Sequence, residues 1–205
     1  MQLSLFPQNN IEDTLFAGCR LLFHPSFVSD TEAARYFQQI WNETAWEQSE
    51  IQIFGRRCLI PRLNAWYGEK SYAYSGNKME AFKMTNILEE IRAKVEKKAG
   101  VQFNSVLLNL YRDGEDTVGW HADDEPELDH SAPIASLSLG TARRFVLREK
   151  LSKQEARAPE KKELTLGHGD LVIMYPPAQQ LTEHTLPRMK RVTEPRINLT
   201  FRRIL

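Results

Sequence analysis

Three side chains in this sequence are of types and spacings that could do chemistry together: His121, Asp123 and His184. In a strand, side chains repeat every second residue, so Trp120-His121-Ala122-Asp123 sets His121 and Asp123 on one face. An imidazole and a carboxylate so placed can chelate one metal ion without distorting the backbone. A second imidazole from a distant strand makes two His and one carboxylate. That set leaves coordination positions open and suits non-haem Fe(II) in oxygenases. A His-x-Asp alone is weak, because turns use the same residues. Its weight comes from the strand before it and the arginines of a late stretch, Arg196-Ile197-Asn198-Leu199-Thr200-Phe201-Arg202.

In that stretch Arg196, Asn198, Thr200 and Arg202 alternate with Ile197, Leu199 and Phe201, so the four polar groups share one face and the apolar set meets the opposite layer. Two arginines inside a barrel are costly to bury unpaired. A dicarboxylate removes that cost, because guanidinium binds carboxylate as a bidentate fork. Asn109 and Tyr111 repeat the alternation on Val106–Tyr111 and offer hydrogen bonds to the same ligand. For either strand alone, a solvent-facing polar face is the competing reading. The other histidines are weaker ligands on paper. His24 precedes Pro25 and His168 sits between two glycines, which reads as structural, and His130 lies in a loop at Asp129–Pro133.

The elements that must position these groups follow from periodicity. Ser29-Asp30 caps a helix running to about Asn42, with Ala33, Ala34, Phe37, Ile40 and Trp41 on one side. A second helix spans about Met84 to Lys98, with the stripe Met84, Ile87, Leu88, Ile91, Val95 and a stop at Gly100. Strands are expected at Ser105–Tyr111, Ile134–Leu139, Arg144–Arg148, Lys162–Leu166, Asp170–Met174 and Arg196–Ile204, with turns at Asp113-Gly114 and Gly167–Asp170. Residues 1–28 read as an N-terminal extension, irregular or in short strands, residues 50–78 as hairpins, and residues 149–163 as a solvated loop. Two helices followed by many short strands predict an α+β fold: one domain over 1–205, with helices packed on a double-stranded β-helix, or jelly-roll, barrel.

Composition narrows the class. At 205 residues the chain can bury a real core, and 41% hydrophobic with 26% charged residues is ordinary for a soluble protein. The net charge is zero, so affinity for nucleic acid must come from a local patch. Cys19 and Cys58 give no disulfide framework, which points to a reducing compartment. The N-terminus lacks the features of a signal peptide, and no apolar run is long enough for a membrane span. A cytoplasmic monomer is expected.

The chemistry-bearing residues resemble those of the AlkB family of Fe(II)/2-oxoglutarate dioxygenases, which oxidatively remove alkyl groups from nucleic-acid bases. The matching motifs are Asn109-Leu110-Tyr111, Gly119-Trp120-His121-Ala122-Asp123-Asp124-Glu125, Ser131-Ala132-Pro133-Ile134-Ala135-Ser136, His168-Gly169-Asp170, His184 and Arg196–Arg202. With matches around Phe54 and Tyr74 they cover roughly residues 50 to 205, in the family's order and spacing. The resemblance implies that His121, Asp123 and His184 bind iron. It implies that Arg196 and Arg202 hold the two ends of 2-oxoglutarate, helped by Asn109, Tyr111, Asn198 and Thr200. The implied reaction uses O2 and 2-oxoglutarate, hydroxylates an N-alkyl carbon, and releases succinate, CO2 and an aldehyde.

Further stretches speak to substrate and partners. Ile53-Phe54-Gly55-Arg56-Arg57 reads as a hairpin tip with an aromatic wedge flanked by cations, a way to unstack a duplex step while holding phosphates. The competing reading is that Phe54 packs inward; the resemblance, to the duplex-preferring branch, favours the wedge. Tyr72-Ala73-Tyr74-Ser75-Gly76 resembles the family's base pocket, with Tyr74 stacking on the extruded base opposite His121. Asp124 and Glu125 would lie beside that base, or form a solvated turn. Arg62, after Pro61, is a weaker candidate for a phosphate or base contact. Alkylated DNA is the expected partner, with RNA, protein or a small molecule as other targets and a DNA-binding jelly roll without turnover as the non-enzyme alternative. Gln2-Leu3-Ser4-Leu5-Phe6 resembles the short peptide by which bacterial repair proteins dock on the sliding clamp. Apolar residues at a terminus more often pack onto their own domain.

Overall fold

The computed structural model describes residues 10–205 apart from 54–55, 71, 75–76, 80 and 153. Strands β1 (Glu12–Phe16) and β2 (Cys19–His24) form a hairpin, the short-strand form of the stretch expected to be irregular or in short strands. Helix α1 (Asp30–Glu43) starts on Ser29 as expected: its hydroxyl accepts from Glu32 N–H while Glu32 reaches back to the Ser29 N–H, a capping box. Hairpin strands β3 (Glu50–Ile53) and β4 (Arg56–Leu59), then β5 (Leu63–Gly68), then β6 (Tyr72–Tyr74) and β7 (Asn77–Met79) fill the stretch expected to form hairpins. Helix α2 (Asn86–Ala99) is capped by Thr85 and stops at Gly100, whose φ of 77° is left-handed and suits glycine. There follow β8 (Ser105–Tyr111), β9 (Val118–His121), β10 (Ile134–Gly140), β11 (Arg143–Glu149), β12 (Lys161–Leu166), β13 (Leu171–Met174), the short α3 (Ala178–Leu181), β14 (Thr182–Leu186) and β15 (Arg196–Arg202).

Antiparallel pairing sorts the barrel strands into a seven-stranded sheet, ordered β1-β2-β13-β10-β15-β8-β5, and a four-stranded sheet, ordered β12-β11-β14-β9. Strand alternation divides the core in two. Val106, Leu108 and Leu110 of β8 join Ile197, Leu199 and Phe201 of β15 on the face covered by both helices, through Ile87, Leu88, Ile91 and Val95 of α2. The opposite face of the same strands looks into the barrel, where Leu107, Phe145, Leu147, Val172 and Met174 form the second cluster. This is a jelly roll with helices on one outer face. No helix among the described residues is long and apolar enough to cross a membrane.

Three local expectations are corrected. In the α1 stripe Ala33 and Ile40 are buried and Phe37 packs against the core, but Tyr36 is buried beside them, while Ala34 is exposed and Trp41 is 39% exposed. Tyr36 is amphipathic: its ring is buried and its hydroxyl donates to Glu90 of α2 at 2.7 Å. Strand β14 has no counterpart in the expected list; its Thr-Glu-His-Thr-Leu shows one large apolar residue, so periodicity is silent there. Strand β15 ends at Arg202 and not at Ile204.

The Asp113-Gly114 turn packs against the loop between β14 and β15. Gly114 N–H donates to Val192 O at 2.8 Å, and Met189 N–H donates to Gly114 O at 2.9 Å. A Cβ on Gly114 would lie 1.9 Å from the Met189 carbonyl oxygen. Gly114→Ala must therefore force the two loops apart, an overpacking cost of about 1–3 kcal/mol. At this chain length each kcal/mol shifts Tm by roughly 2–4 °C, so a thermal melt should show a drop of several degrees. An unchanged Tm would mean that the two loops part freely.

Candidate metal centre and cosubstrate cavity

Strand β9 delivers His121 at its last residue and β14 delivers His184, and the two are cross-strand partners. Opposed strand positions bring side chains within reach, and the imidazole centroids lie 4.2 Å apart. Asp123 comes after β9 has ended, on irregular backbone, so the strand geometry expected for both His121 and Asp123 holds for His121 alone. Two hydrogen bonds bring Asp123 in instead. Its Oδ1 accepts from Arg202 Nη2 at 2.7 Å, and its N–H donates to Gln179 Oε1 at 2.9 Å. The ligand atoms of His121, Asp123 and His184 all lie within 4.8 Å of one another, the only such trio among the described residues.

Electrostatics set the donors in the forms a metal takes. Burial alone pushes the Asp123 carboxyl up, but the Arg202 guanidinium and both imidazoles outweigh it and hold the group at about 2. Burial, reinforced by His121, drives His184 down to about 3, so its imidazole is neutral at pH 7. His121 Nδ1 lies 2.9 Å from the Gly119 carbonyl oxygen. That contact calls for a proton on Nδ1 and leaves Nε2, 3.9 Å from Asp123 Oδ1, as a lone-pair donor. His184 Nδ1 is buried without a hydrogen-bond partner. One carboxylate and two imidazoles are what a divalent iron site requires, and the residues fit it.

A cavity of about 490 Å³, counting its open mouth, begins at this trio and runs along the inner face of the main sheet. Asn109, Tyr111, Ser136, Asn198, Thr200 and Arg202 line it on that side. Arg196, Asn198, Thr200 and Arg202 are all buried, so the solvent-facing alternative for β15 does not hold. They are knitted together: Arg196 Nη2 donates to Ser138 Oγ and Asn198 Oδ1, Ser136 Oγ to Asn198 Oδ1, and Asn198 Nδ2 to Thr200 Oγ1. Arg196 lies behind this lining, 5.4 Å from the Tyr111 ring centre. Burial lowers it to about 10 against the pull of Tyr111, so it stays charged at neutral pH. No carboxylate among the described residues pairs with it, and its Nε is buried without an acceptor. A buried cation with a spare donor calls for an anion.

Residues 20–202 match the 2OG-Fe(II) oxygenase superfamily. The DNA oxidative demethylase ALKBH2 of Mus musculus is 40% identical over 181 residues, 85% of this chain and 76% of that protein. The alpha-ketoglutarate-dependent dioxygenase alkB homolog 3 of Homo sapiens is 38% identical over 189 residues, 90% of this chain and 66% of that protein. The chain belongs to the AlkB family of 2OG-Fe(II) oxygenases. The solved structure of OsALKBH1 superposes with a TM-score of 0.63 at 14% identity, covering 95% of this chain and 100% of that one, and so shares the fold. As a member of the AlkB family the protein is a dioxygenase that uses Fe(II), 2-oxoglutarate and O2, with the iron site at His121, Asp123 and His184.

The other AlkB-type positions are distributed as follows. Asn109 and Tyr111 are buried beside the cavity, and Asn109 Oδ1 accepts from Arg62 Nε at 2.9 Å. Arg62 is therefore an inner-wall residue, 4% exposed, and not a surface contact for phosphate. Asp124 is exposed and 3.3 Å from Lys150 Nζ, while Glu125 is half-buried. Arg56 opens β4, and Tyr72, Ala73 and Tyr74 make up β6. Phe54, Gly55, Ser75 and Gly76 lie outside the described residues, as does the peptide 2–6. His168 is structural: its Nδ1 accepts from Gly140 N–H at 2.8 Å.

Sequence reasoning missed several contributors. Ser136 and Ser138 share the inner face of β10, a signal visible in the alternation of Ile134-Ala135-Ser136-Leu137-Ser138. Arg143, fully buried, donates to the carbonyls of Asp113, Asp116 and Pro187, which ties together the loops behind Tyr111. Phe145 packs 5.3 Å from the His184 ring. Nothing in the sequence marks Arg143, since a basic residue at a strand start is usually solvated.

Proposed function

We propose that this protein repairs DNA by oxidative dealkylation of N-alkylated bases such as 1-methyladenine and 3-methylcytosine. The observation that carries the reading is the coincidence of the His121-Asp123-His184 trio and the buried polar cavity with 40% identity to DNA oxidative demethylases. When bound, the iron couples decarboxylation of 2-oxoglutarate to oxidation of a C–H bond. The chain's own part is placement. Arg202 keeps the Asp123 carboxylate ionised and aimed, Arg196 offers its unpaired Nε to a carboxylate, and Phe145 packs against the buried His184 ring. His121 is the ligand nearest solvent, with 26% of its side chain exposed, so a flipped base would approach from its side. Flipping costs a few kcal/mol, less where alkylation already blocks pairing, which itself selects damaged bases.

The test is mass spectrometry of oligonucleotides carrying 1-methyladenine or 3-methylcytosine, with iron and 2-oxoglutarate supplied. Loss of the methyl group with matching succinate release is expected. Succinate without demethylation would point to another substrate, RNA included, and neither product would leave a binding module.

Duplex DNA is the proposed preference, resting on the Phe54-Gly55-Arg56-Arg57 sequence, an aromatic followed by paired cations. Phe54→Ala should weaken turnover of duplex far more than of single strands, because only the duplex has a gap to fill. Base–aromatic stacking is worth about 1–3 kcal/mol, or roughly a five- to 150-fold loss. Equal losses on both substrates would mark Phe54 as a core residue. A cytoplasmic location is also proposed, supported by the free Cys19 and Cys58. Docking of residues 2–6 on a sliding clamp is a weaker proposal; calorimetry of a residue 1–10 peptide against the clamp, with a Leu5→Ala and Phe6→Ala control, decides it.

A further inference from the structure

Of the three iron ligands, Asp123 is the one outside any strand, so its backbone depends on a side chain. That side chain is Gln179 of α3, whose Oε1 accepts the Asp123 N–H at 2.9 Å. The orientation of the amide is fixed twice over: an N–H can face only the oxygen, and Nε2 on the other side lies 3.6 Å from Met174 Sδ. Helix α3 runs directly into β14, the strand that carries His184. Lys150 braces the same junction from outside, with Nζ 2.9 Å from the Gln179 carbonyl oxygen and 3.3 Å from Asp124 Oδ2. The segment that delivers the third ligand thus grips the segment that delivers the second.

We propose that Gln179 is a positioning residue for the metal centre, holding the Asp123 loop so that its carboxylate meets both imidazoles before the ion arrives. The β9–β14 ladder cannot do this, because its register shifts between His184 and Leu186 and it ends at His121. Arg202 fixes the carboxylate alone, which leaves the backbone behind it to swing. Outer contacts that orient a ligand typically change metal affinity about 10–100-fold when removed.

The test is a Co(II) titration of the full chain, followed by the d–d absorption of the bound ion, with no nucleic acid present. Failure here and failure of the DNA assignment are therefore distinguishable. Gln179→Leu keeps the volume and removes the acceptor; its Co(II) dissociation constant should rise about 10–100-fold, with the melting of the metal-free protein unchanged. Gln179→Glu restores an acceptor at the same atom and should return affinity to within a few-fold of the parent. Parent-like Co(II) affinity in Gln179→Leu overturns the proposal, and so does a Gln179→Glu protein as weak as the leucine variant. If Gln179→Leu does not fold, Lys150→Met decides: it loosens the outer brace only, so several-fold weaker Co(II) binding supports the proposal and unchanged binding overturns it.

Discussion

An Asp123→Ala protein should lose iron-dependent turnover completely, and it should also melt lower than a His121→Ala protein that has lost the same activity. Both substitutions leave two of three ligands, too few to hold the metal. They differ in what else they break. His121 is partly exposed and lies against the Gly119 carbonyl and the His184 ring 4.2 Å away, so its removal disturbs less. The Asp123 carboxylate is 2% exposed and takes a 2.7 Å hydrogen bond from the equally buried Arg202. Removing one member of a buried ion pair costs up to about 3–5 kcal/mol, a large part of the roughly 5–15 kcal/mol that stabilises a domain. At roughly 2–4 °C per kcal/mol, differential scanning calorimetry should separate the two variants clearly. Near-normal activity in Asp123→Ala would show that the ligand set is wrong. Equal melting of the two variants would show that the Arg202–Asp123 pair adds no net stability.

That pair marks where sequence reading stops being sufficient. Period-two alternation made the inner face of β15 legible, because seven residues of strict alternation allow only one sorting of Arg196, Asn198, Thr200 and Arg202 from Ile197, Leu199 and Phe201. The α2 stripe was legible for the same reason, down to its stop at Gly100. The same rule brought His121 and Asp123 together by a route the protein does not use. The strand ends at His121, and it is Arg202, distant in sequence, that draws the carboxylate in. Strand β14 and Gln179 were hidden because Ala178–Leu186 offers no apolar period, so their order comes from the strands around them. On α1 Ala33, Phe37 and Ile40 meet the core as expected, but Tyr36 joins them where Ala34 and Trp41 do not, since Tyr36 presents an apolar ring and a polar tip. Regular alternation survives in sequence; contacts made by side chains on irregular backbone do not.

An Arg196→Met protein should bind 2-oxoglutarate far more weakly while folding at least as stably as the parent. The sign of each effect follows from the same burial. Arg196 is 2% exposed and charged, and no carboxylate among the described residues answers it, so in the ligand-free protein it is a desolvation cost. Methionine fills similar space without that cost, and replacing a buried charge by an apolar side chain is often neutral or stabilising. Of the acceptors it leaves, Asn198 Oδ1 still receives the Ser136 hydroxyl at 2.9 Å. With the dicarboxylate bound the balance reverses. Truncating one partner of a buried charge pair costs about 2–5 kcal/mol, which is roughly 30-fold to several thousandfold in affinity. Thermal shift induced by 2-oxoglutarate in the presence of Co(II) reads the ligand side, and the melt without either reads the protein side. Weakened 2-oxoglutarate binding with an unchanged or raised apo Tm identifies Arg196 as an anion receptor. A large fall in apo Tm would instead make it a structural strut for Tyr111 and Ser138, and unchanged 2-oxoglutarate affinity would mean that the distal carboxylate is held elsewhere in the cavity.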